Sequence, residues 1–331
     1  MSGLRHFSRL KRFFPAVKKS GTLNLTSRLR LESLDDRVVP ALTFHPLSDY
    51  TMPGGKDLLV PLTAIDSDGY SVSFSALSDN SSLTASVLGS GPSLRLTVSG
   101  VDGQSNPFTG DIVLRLFPDI APLAVNRITS LANSGWYNGK LFHRVINGFM
   151  AQGGSADGMG SGDSGLGRYR DEFHARTTFV SPGLVALANA GDDGNDSQFF
   201  ITDIDVPLAQ MPQHLNFNHS IVGLLVSGFD IFNQIMSTNV VAQNPPTNNE
   251  LSRPIPNITI VNAEVFTDDQ NGVLRISGPA DFVGTAQITV TATSDGGEVQ
   301  QTFTVTGTLD TINDRPFLGP IDDIRVSAGS S

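Results

Sequence analysis

Two hydrophobic periodicities divide the chain. From Phe44 to Gly100 the apolar residues come in short runs, DLLVPLTAI, YSVSFSAL, LTASVL and SLRLTVSG, parted by clusters of Gly, Asn, Asp and Ser. Strands at this spacing predict a β-sandwich region with no helix. Within it Asp66-Ser67-Asp68-Gly69 reads as a plain turn, because no further acids follow at the spacing of a calcium loop. At Gly110 the character changes. DIVLRLF predicts a strand, and Ala121 to Ser134 predicts a helix with Pro122 in its first turn, Ala124, Ile128 and Leu131 on one stripe, and Gly135 just past its end.

The stretch Leu141 to Gly154, LFHRVINGFMAQGG, predicts two short strands joined at Asn147-Gly148. Simple alternation puts Phe142, Arg144 and Ile146 on one face and Leu141, His143 and Val145 on the other, with Met150 and Gln152 sharing a face of the second strand. A guanidinium, a thioether and an amide would then converge among apolar neighbours, a mixture suited to a pocket. His143, on the opposite face, reads as a packed structural histidine. Residues 153–171 are Gly-rich without periodicity. Gly160, Gly162 and Gly165 spell GxGxxG, yet no strand precedes and no helix follows, so the stretch reads as a surface loop and not a dinucleotide site.

GLVALANAGDDGNDSQFFIT (Gly183 to Thr202) predicts a strand, a polar turn and a second strand with Gln198 and Phe200 on one face. Asp192, Asp193 and Asp196 read as a solvated turn rather than a metal cluster. HLNFNHSIVGLLV (His214 to Val226) predicts a further strand. Phe229, Phe232, Ile235 and Met236 mark a second amphipathic helix with Asp230 near its start, where negative charge suits the dipole, and Asn257 to Phe266 predicts a closing strand. Three more strands follow in GVLRISG, AQITVTATS and EVQQTFTVTGTL.

Composition narrows the function classes. With 331 residues the chain has room for about two domains, and no run reaches the 18 apolar residues of a membrane span. There are no cysteines, which excludes disulfides, thiolate nucleophiles and thiolate metal sites. Residues 1–44 hold nine basic residues against three acids, a balance of +6 within an overall −10, leaving −16 for the rest. So acidic a body is not built to bind nucleic acid. The basic head lacks the apolar stretch of an ordinary secretory signal. It reads as a disordered leader, with a solvated tail, a lipid-contacting segment or a nucleic-acid arm as the alternatives.

FHRVINGFMAQGG, then ALANAG with SQFFIT, then LNFNHSIVG resemble, in order and spacing, the three diagnostic blocks of the cyclophilins, which are peptidyl-prolyl cis/trans isomerases. The resemblance covers residues 108–266, about half the chain. It implies a mainly β fold, a closed eight-stranded antiparallel barrel capped by two helices, acting on proline-containing polypeptides without cofactor or metal. It further implies that Arg144 is the catalytic arginine and that Phe149, Met150, Phe200 and Leu215 line the proline pocket. Gln152 and Gln198 would hydrogen-bond the substrate backbone, Ala188 and Asn189 would lie beside the preceding residues, and His219 would stand at the wall, orienting and not acting as a base. His214 occupies a position where many members carry tryptophan, associated with binding cyclosporin. That departure bears on drug affinity more than on catalysis.

The flanks set the domain organisation. Residues 44–104 and 267–316 together have the size of one immunoglobulin-like sandwich. The isomerase domain, residues 105–266, is then expected as an insertion, with a leader at 1–43 and a tail or further repeat at 317–331. NDRPFLGPIDDIRVSAGSS, the C-terminal stretch, resembles a junction between cadherin-like or immunoglobulin-like repeats. LRLESLDDRVVPA (Leu29 to Ala41) resembles a segment near the N-terminus of large bacterial surface proteins, which implies export or a cell-surface location. Two functions are left open. One is an isomerase that assists folding of exported proteins, and the other is a non-catalytic proline-peptide-binding or adhesion module.

Overall fold

A computed structural model describes residues 42–244 and 247–316. The leader and the residues from 317 onward, on which the export and repeat-junction expectations rest, lie outside the described residues. The first block carries β1 (Leu42–Phe44), β2 (Tyr50–Pro53), β3 (Asp57–Asp66), β4 (Ser73–Ser78) and β5 (Thr84–Leu88). β6 (Pro92–Val101) and β7 (Pro107–Leu116) lead into α1 (Pro122–Asn133). There follow β8 (Leu141–Ile146), β9 (Met150–Gly153), β10 (Leu184–Leu187), β11 (Phe199–Thr202), β12 (Ile221–Ser227) and α2 (Phe229–Met236). The chain continues through β13 (Val240–Asn244), β14 (Asn248–Pro254), β15 (Ile258–Thr267), β16 (Asn271–Ser277), β17 (Gly284–Ser294) and β18 (Gly297–Thr308).

Eight of these strands close a barrel in the order β10-β11-β9-β8-β15-β6-β7-β12, with β12 returning to β10 and every pair antiparallel. Closure removes the free edge of the sheet. Its interior is filled by alternate residues such as Leu94, Leu96 and Val98 of β6, together with Phe142, Val185, Phe199 and Ile201. The apolar stripes of both helices, Ala124, Ile128 and Leu131 from α1 and Phe232 and Ile235 from α2, join this same core. Each helix thus forms because its stripe has a core to cover.

The flanking segments build two four-stranded sheets, β1-β3-β16-β5 and β2-β18-β17-β4. In the first, β16 from the far side of the barrel sequence sits between β3 and β5, and in the second β17 pairs with β4. The two sheets share an apolar core in which Leu58, Val60, Leu62, Leu274 and Ile276 face Ile288, Val290, Phe303 and Val305. One pair is parallel, β18 with β2.

SLRLTVSG, grouped by pattern with the sandwich segment, is a barrel strand. Residues 92–99 of β6 pair along β15, from Pro92 opposite Thr267 to Ser99 opposite Thr259. Its period-2 pattern fits either sheet equally, and only the tertiary pairing decides. The first segment of the sandwich therefore ends near Leu88, not at residue 104. The strand by which the chain enters the barrel is hydrogen-bonded to the strand by which it leaves.

β3 shows why the sandwich and barrel are one body. DLLVPL is a nearly unbroken apolar run, the mark of a strand covered on both faces. Leu58, Val60 and Leu62 face the sandwich core. Leu59, with Val273 of β16, packs instead into a cluster with Leu184, Leu224 and Val226 on the outside of the barrel. Polar ties run beside it: Ser181 Oγ accepts from the Leu59 N–H at 2.8 Å, Thr63 Oγ1 donates to the Val226 carbonyl, and the buried Asp57 accepts from Arg176 Nε at 2.8 Å and Ser277 Oγ at 2.7 Å.

Both leucines are fully covered, so Leu58→Ala and Leu59→Ala are each expected to destabilise the protein by about 2–5 kcal/mol, the range for truncating a core leucine. Urea unfolding of the two variants checks this. A Leu59→Ala variant as stable as the wild type would mean that the outer face of β3 is not packed on the barrel in solution.

Candidate functional site

The β8–β9 hairpin is the platform. Its connection is three residues long, Asn147 to Phe149, and Gly148 alone among them has a left-handed φ, 78°. The Phe149 N–H closes the turn on the Ile146 carbonyl at 3.0 Å. Asp203, just after β11, pins it from outside, accepting from the Gly148 N–H at 2.8 Å while its own N–H donates to the Phe149 carbonyl at 2.9 Å. Phe149 is thereby set at the rim of the barrel.

The face assignment along β8 needs one correction. Phe142 lies opposite Gly153 and Arg144 opposite Gln152, so two residues of β8 span one step of β9 and His143 is the extra residue of a β-bulge. Simple alternation would put Phe142 beside Arg144. The bulge instead leaves Phe142 in the barrel core with Val145 and Ala151, while Arg144 and Ile146 share the outer face with Met150 and Gln152. The bulge thus turns Phe142 into the core, while Arg144 keeps the face that alternation gives it beside Ile146.

The aromatic side of that cleft is built from four elements. Met150 of β9 and Phe200 of β11 are buried in one cluster, against which Ile146, Phe149, Ala188 and Leu215 pack. Phe200 stacks on Phe179 with centroids 5.9 Å apart and meets the His219 ring edge-on at 5.5 Å. Nδ1 of His219 lies 2.9 Å from the Leu187 carbonyl, which can only accept, so Nδ1 carries the proton. Burial holds the His219 imidazole below its ordinary pKa, favouring the neutral ring. His214 tilts against Phe149 at 6.4 Å.

A polar chain crosses the cleft from the arginine. Arg144 Nη1 reaches Gln152 Oε1 at 3.4 Å and Met150 Sδ at 4.0 Å, and its Cζ lies 5.9 Å from the Phe149 ring. Gln152 Nε2 donates to Gln198 Oε1 at 3.1 Å, and Gln198 Nε2 donates to the Gly160 carbonyl at 3.2 Å. Gln152, Ala188, Asn189 and Gln198 also line a cavity of about 110 Å³. Asn189 is fixed by donating to the Asn218 carbonyl at 2.8 Å. Arg144, Phe149, Met150, Gln152, Gln198, Phe200, Leu215, Ala188 and His219 are thus linked by side-chain contacts contributed by β8, β9, β11, the turn between β8 and β9 and the loops after β10 and before β12. Of the ten expected residues only Gln152, Ala188, Asn189 and Gln198 line the cavity, and His219 faces a separate, smaller one.

Reading by pattern missed one residue here. The guanidinium of Arg144 is held by Glu250 of β14, with Nε to Oε1 at 2.6 Å and Nη2 to Oε2 at 2.8 Å. This partner holds the Glu250 carboxyl down at about 2. β13 and β14 form a separate two-stranded sheet beside β8. Their sequences, VVAQN and NNELSRP, are Asn-rich and have no strand period; the one available signal was Val240-Val241 followed by a polar turn sequence.

Two carboxylate groupings resolve differently. Asp66 is spent in its turn, accepting from the Asp68 N–H at 2.9 Å and from Ser294 Oγ. Asp193 caps the Asp171 N–H at 2.9 Å. Asp196 is not a solvated turn residue: it is buried, paired with Arg127 and with Ser164 Oγ at 2.6 Å, and so ties α1 to the Gly-rich loop.

That loop packs over the bulge. Gly160, at φ 88°, passes so close to His143 that a Cβ would stand 3.2 Å from Nε2. His143 is only 2% exposed, and burial pushes its imidazole down to about 4.

The structure is thus a closed antiparallel barrel with a half-buried arginine beside an aromatic cluster. Residues 101–265 match the family described as "Cyclophilin type peptidyl-prolyl cis-trans isomerase/CLD". The peptidyl-prolyl cis-trans isomerase-like 1 proteins of Bos taurus and Homo sapiens are 36% identical over 156 residues, 46% of this chain and 86% of theirs. A peptidyl-prolyl cis-trans isomerase of Rhizopus delemar is 35% identical over 173 residues, 52% of this chain. The match spans only 25% of the length of that Rhizopus protein. Among solved structures, a cyclophilin type isomerase of Cryptosporidium parvum, 26% identical, aligns over 53% of this chain and 98% of its own with a TM-score of 0.44. The chain belongs to the cyclophilin-type peptidyl-prolyl cis-trans isomerase family.

The buried His143 fixes a pH dependence of stability. The unfolded chain takes up this proton near pH 6.5, while the folded protein refuses it until about pH 4. The stability contribution is therefore complete above pH 6.5 and falls as pH drops through that window, by on the order of 3 kcal/mol in full. Urea midpoints at pH 7.5 and pH 5 are expected to fall less for His143→Leu than for the wild type. Equal slopes would show that the ring protonates freely in the folded state.

Proposed function

We propose that the barrel domain is a peptidyl-prolyl cis/trans isomerase acting on proline-containing polypeptides. The observation that carries this reading is the placement of Arg144 Nη1 beside Gln152 and Met150, at the edge of the cluster formed by Phe149, Phe200 and Leu215. The bond to be turned is an amide whose barrier, about 18–20 kcal/mol, comes from resonance between the proline nitrogen and the carbonyl, and uncatalysed exchange takes roughly tens to hundreds of seconds. No bond breaks and no proton moves, so neither nucleophile nor base is required. As the amide twists, the nitrogen becomes pyramidal and recovers its lone pair. A guanidinium N–H near that nitrogen favours the twisted amide over the planar one, and an apolar cleft strengthens the interaction by excluding water. Bringing exchange into milliseconds asks the site for roughly 6–7 kcal/mol.

In this reading the proline ring sits against Phe149, Met150, Phe200 and Leu215, with His219 as a fixed wall. Gln152 and Gln198 hold the substrate backbone, and Ala188 and Asn189 border the residues before the proline. His214 presents a smaller imidazole where tryptophan would present an indole, with its N–H in a different place, so cyclosporin binding is expected to be weak. The flanking sheets are proposed to form an immunoglobulin-like sandwich, a reading supported by two facing sheets with β17 and β18 as a long hairpin. The proposed setting is an exported or cell-surface bacterial protein whose clients are exported polypeptides, on the strength of the leader segment.

Magnetisation-exchange NMR on a tetrapeptide with one X-Pro bond tests the activity. The wild type is expected to accelerate exchange, and Arg144→Ala to lose about a hundredfold or more in kcat/KM, the loss typical of removing one transition-state donor. Binding without acceleration by the wild type would replace the enzyme with a proline-peptide-binding module.

A further inference from the structure

Arg144 does not act from the barrel alone. Glu250 lies 106 residues away in sequence, on a hairpin outside the barrel. Its two oxygens grip Nε and Nη2 in a two-point geometry that fixes the plane of the guanidinium as well as its position. Glu250 is itself fixed from both sides along β14: its N–H donates to Asn248 Oδ1 at 2.9 Å, and the fully buried Ser252 donates its hydroxyl to Oε1 at 2.8 Å. Bulges in the β13–β14 pairing, between Val241 and Ala242 and between Ala242 and Asn244, re-aim this short ribbon locally.

The clamp leaves one nitrogen over. A guanidinium has five N–H donors, and Glu250 engages the Nε and Nη2 edge. Nη1 is the nitrogen turned toward Gln152 and Met150, at the apolar cleft. An unclamped arginine could present any edge there through its four side-chain torsions. The pair is partly open to water, with 28% of the Arg144 side chain and 36% of the Glu250 side chain exposed, so screening discounts what it adds to the stability of the fold.

Building on the isomerase reading, we infer that Glu250 is the positioning residue of Arg144, orienting the guanidinium so that Nη1 is the donor presented to the prolyl nitrogen. The β13–β14 hairpin is then part of the site although it contributes no strand to the barrel. Misplacing a reacting group by about 1 Å can cost a hundredfold, so loosening one side of a clamp is expected to act on turnover while leaving substrate affinity to the apolar cleft.

The test measures kcat and KM by exchange NMR on the X-Pro tetrapeptide, with thermal unfolding alongside. Its variants are Glu250→Gln, Glu250→Asp, Arg144→Ala and the Arg144→Ala/Glu250→Gln double variant of the whole chain. Glu250→Gln is expected to lower kcat about tenfold with KM within about twofold, and Glu250→Asp, which keeps the charge on a shorter stem, to recover part of the loss. The double variant is expected to match Arg144→Ala, since Glu250 acts only through that arginine. In the uncatalysed free protein, the Arg144 Nε–H signal is expected to exchange slowly with water in the wild type and rapidly in Glu250→Gln. An active wild type with unchanged kcat in Glu250→Gln, or a double variant slower than Arg144→Ala by a further tenfold, overturns this inference alone. An inactive wild type removes the isomerase reading and this inference with it.

Discussion

The ladder between β6 and β15 is the constraint on which the rest of the molecule depends. It closes one side of the barrel, and it also joins the strand that brings the chain in from the sandwich to the strand that takes it back. An inserted domain must begin and end at neighbouring points, and here the neighbours are hydrogen-bonded over most of their length. A slip of one residue in this register would turn Leu94, Leu96 and Val98 out of the barrel core and displace the start of β16 from its slot between β3 and β5. The register that closes the barrel on this side therefore also sets where β16 meets β3 and β5. The shared cluster of Leu59 and Val273 with Leu184, Leu224 and Val226 follows from it, because the sheet next to the crossing point lies on the barrel wall.

What could be read without coordinates divides along the range of the interactions involved. The helices were legible because Ala124, Ile128 and Leu131, or Phe232, Ile235 and Met236, repeat at a period only one element satisfies. Strands were legible as strands, yet SLRLTVSG could not announce which sheet it joins, since alternation is the same in a barrel and in a sandwich. β1, three residues long, and β14, with Asn248, Asn249, Glu250 and Pro254 among its seven residues, carry too little periodicity to stand out. Their strand conformation is imposed by partners far along the chain.

The site shows the same division more sharply. Family motifs place the residues of the cleft because those residues sit in contiguous blocks. The bulge at His143 was not legible, as period-2 alternation assumes a regular ladder and one extra residue reverses the face of everything before it. Glu250 lay outside every block. Its contact with Arg144 is an ion pair closed over 106 residues, and no local rule connects a glutamate in NNELSRP to an arginine in LFHRVI.

In the proposed reading of Arg144 as the catalytic arginine, a carboxylate on it has two opposed effects, and their sizes decide what the pair would be for. Negative charge beside a guanidinium weakens its pull on a developing lone pair. That loss is limited, because the carboxylate faces Nε and Nη2 while Nη1 faces the cleft, and because the half-exposed pair is screened by water. Against it stands the freedom of the side chain, which carries about 2 kcal/mol of rotamer entropy. A cleft that had to fix the arginine anew in each turnover would lose that amount from its transition-state stabilisation, out of roughly 6–7 kcal/mol required. On the proposed reading, fixing it in advance at the edge away from the substrate would leave both the donor and its orientation available when the amide twists, so the clamp would serve the reaction more than it weakens the charge.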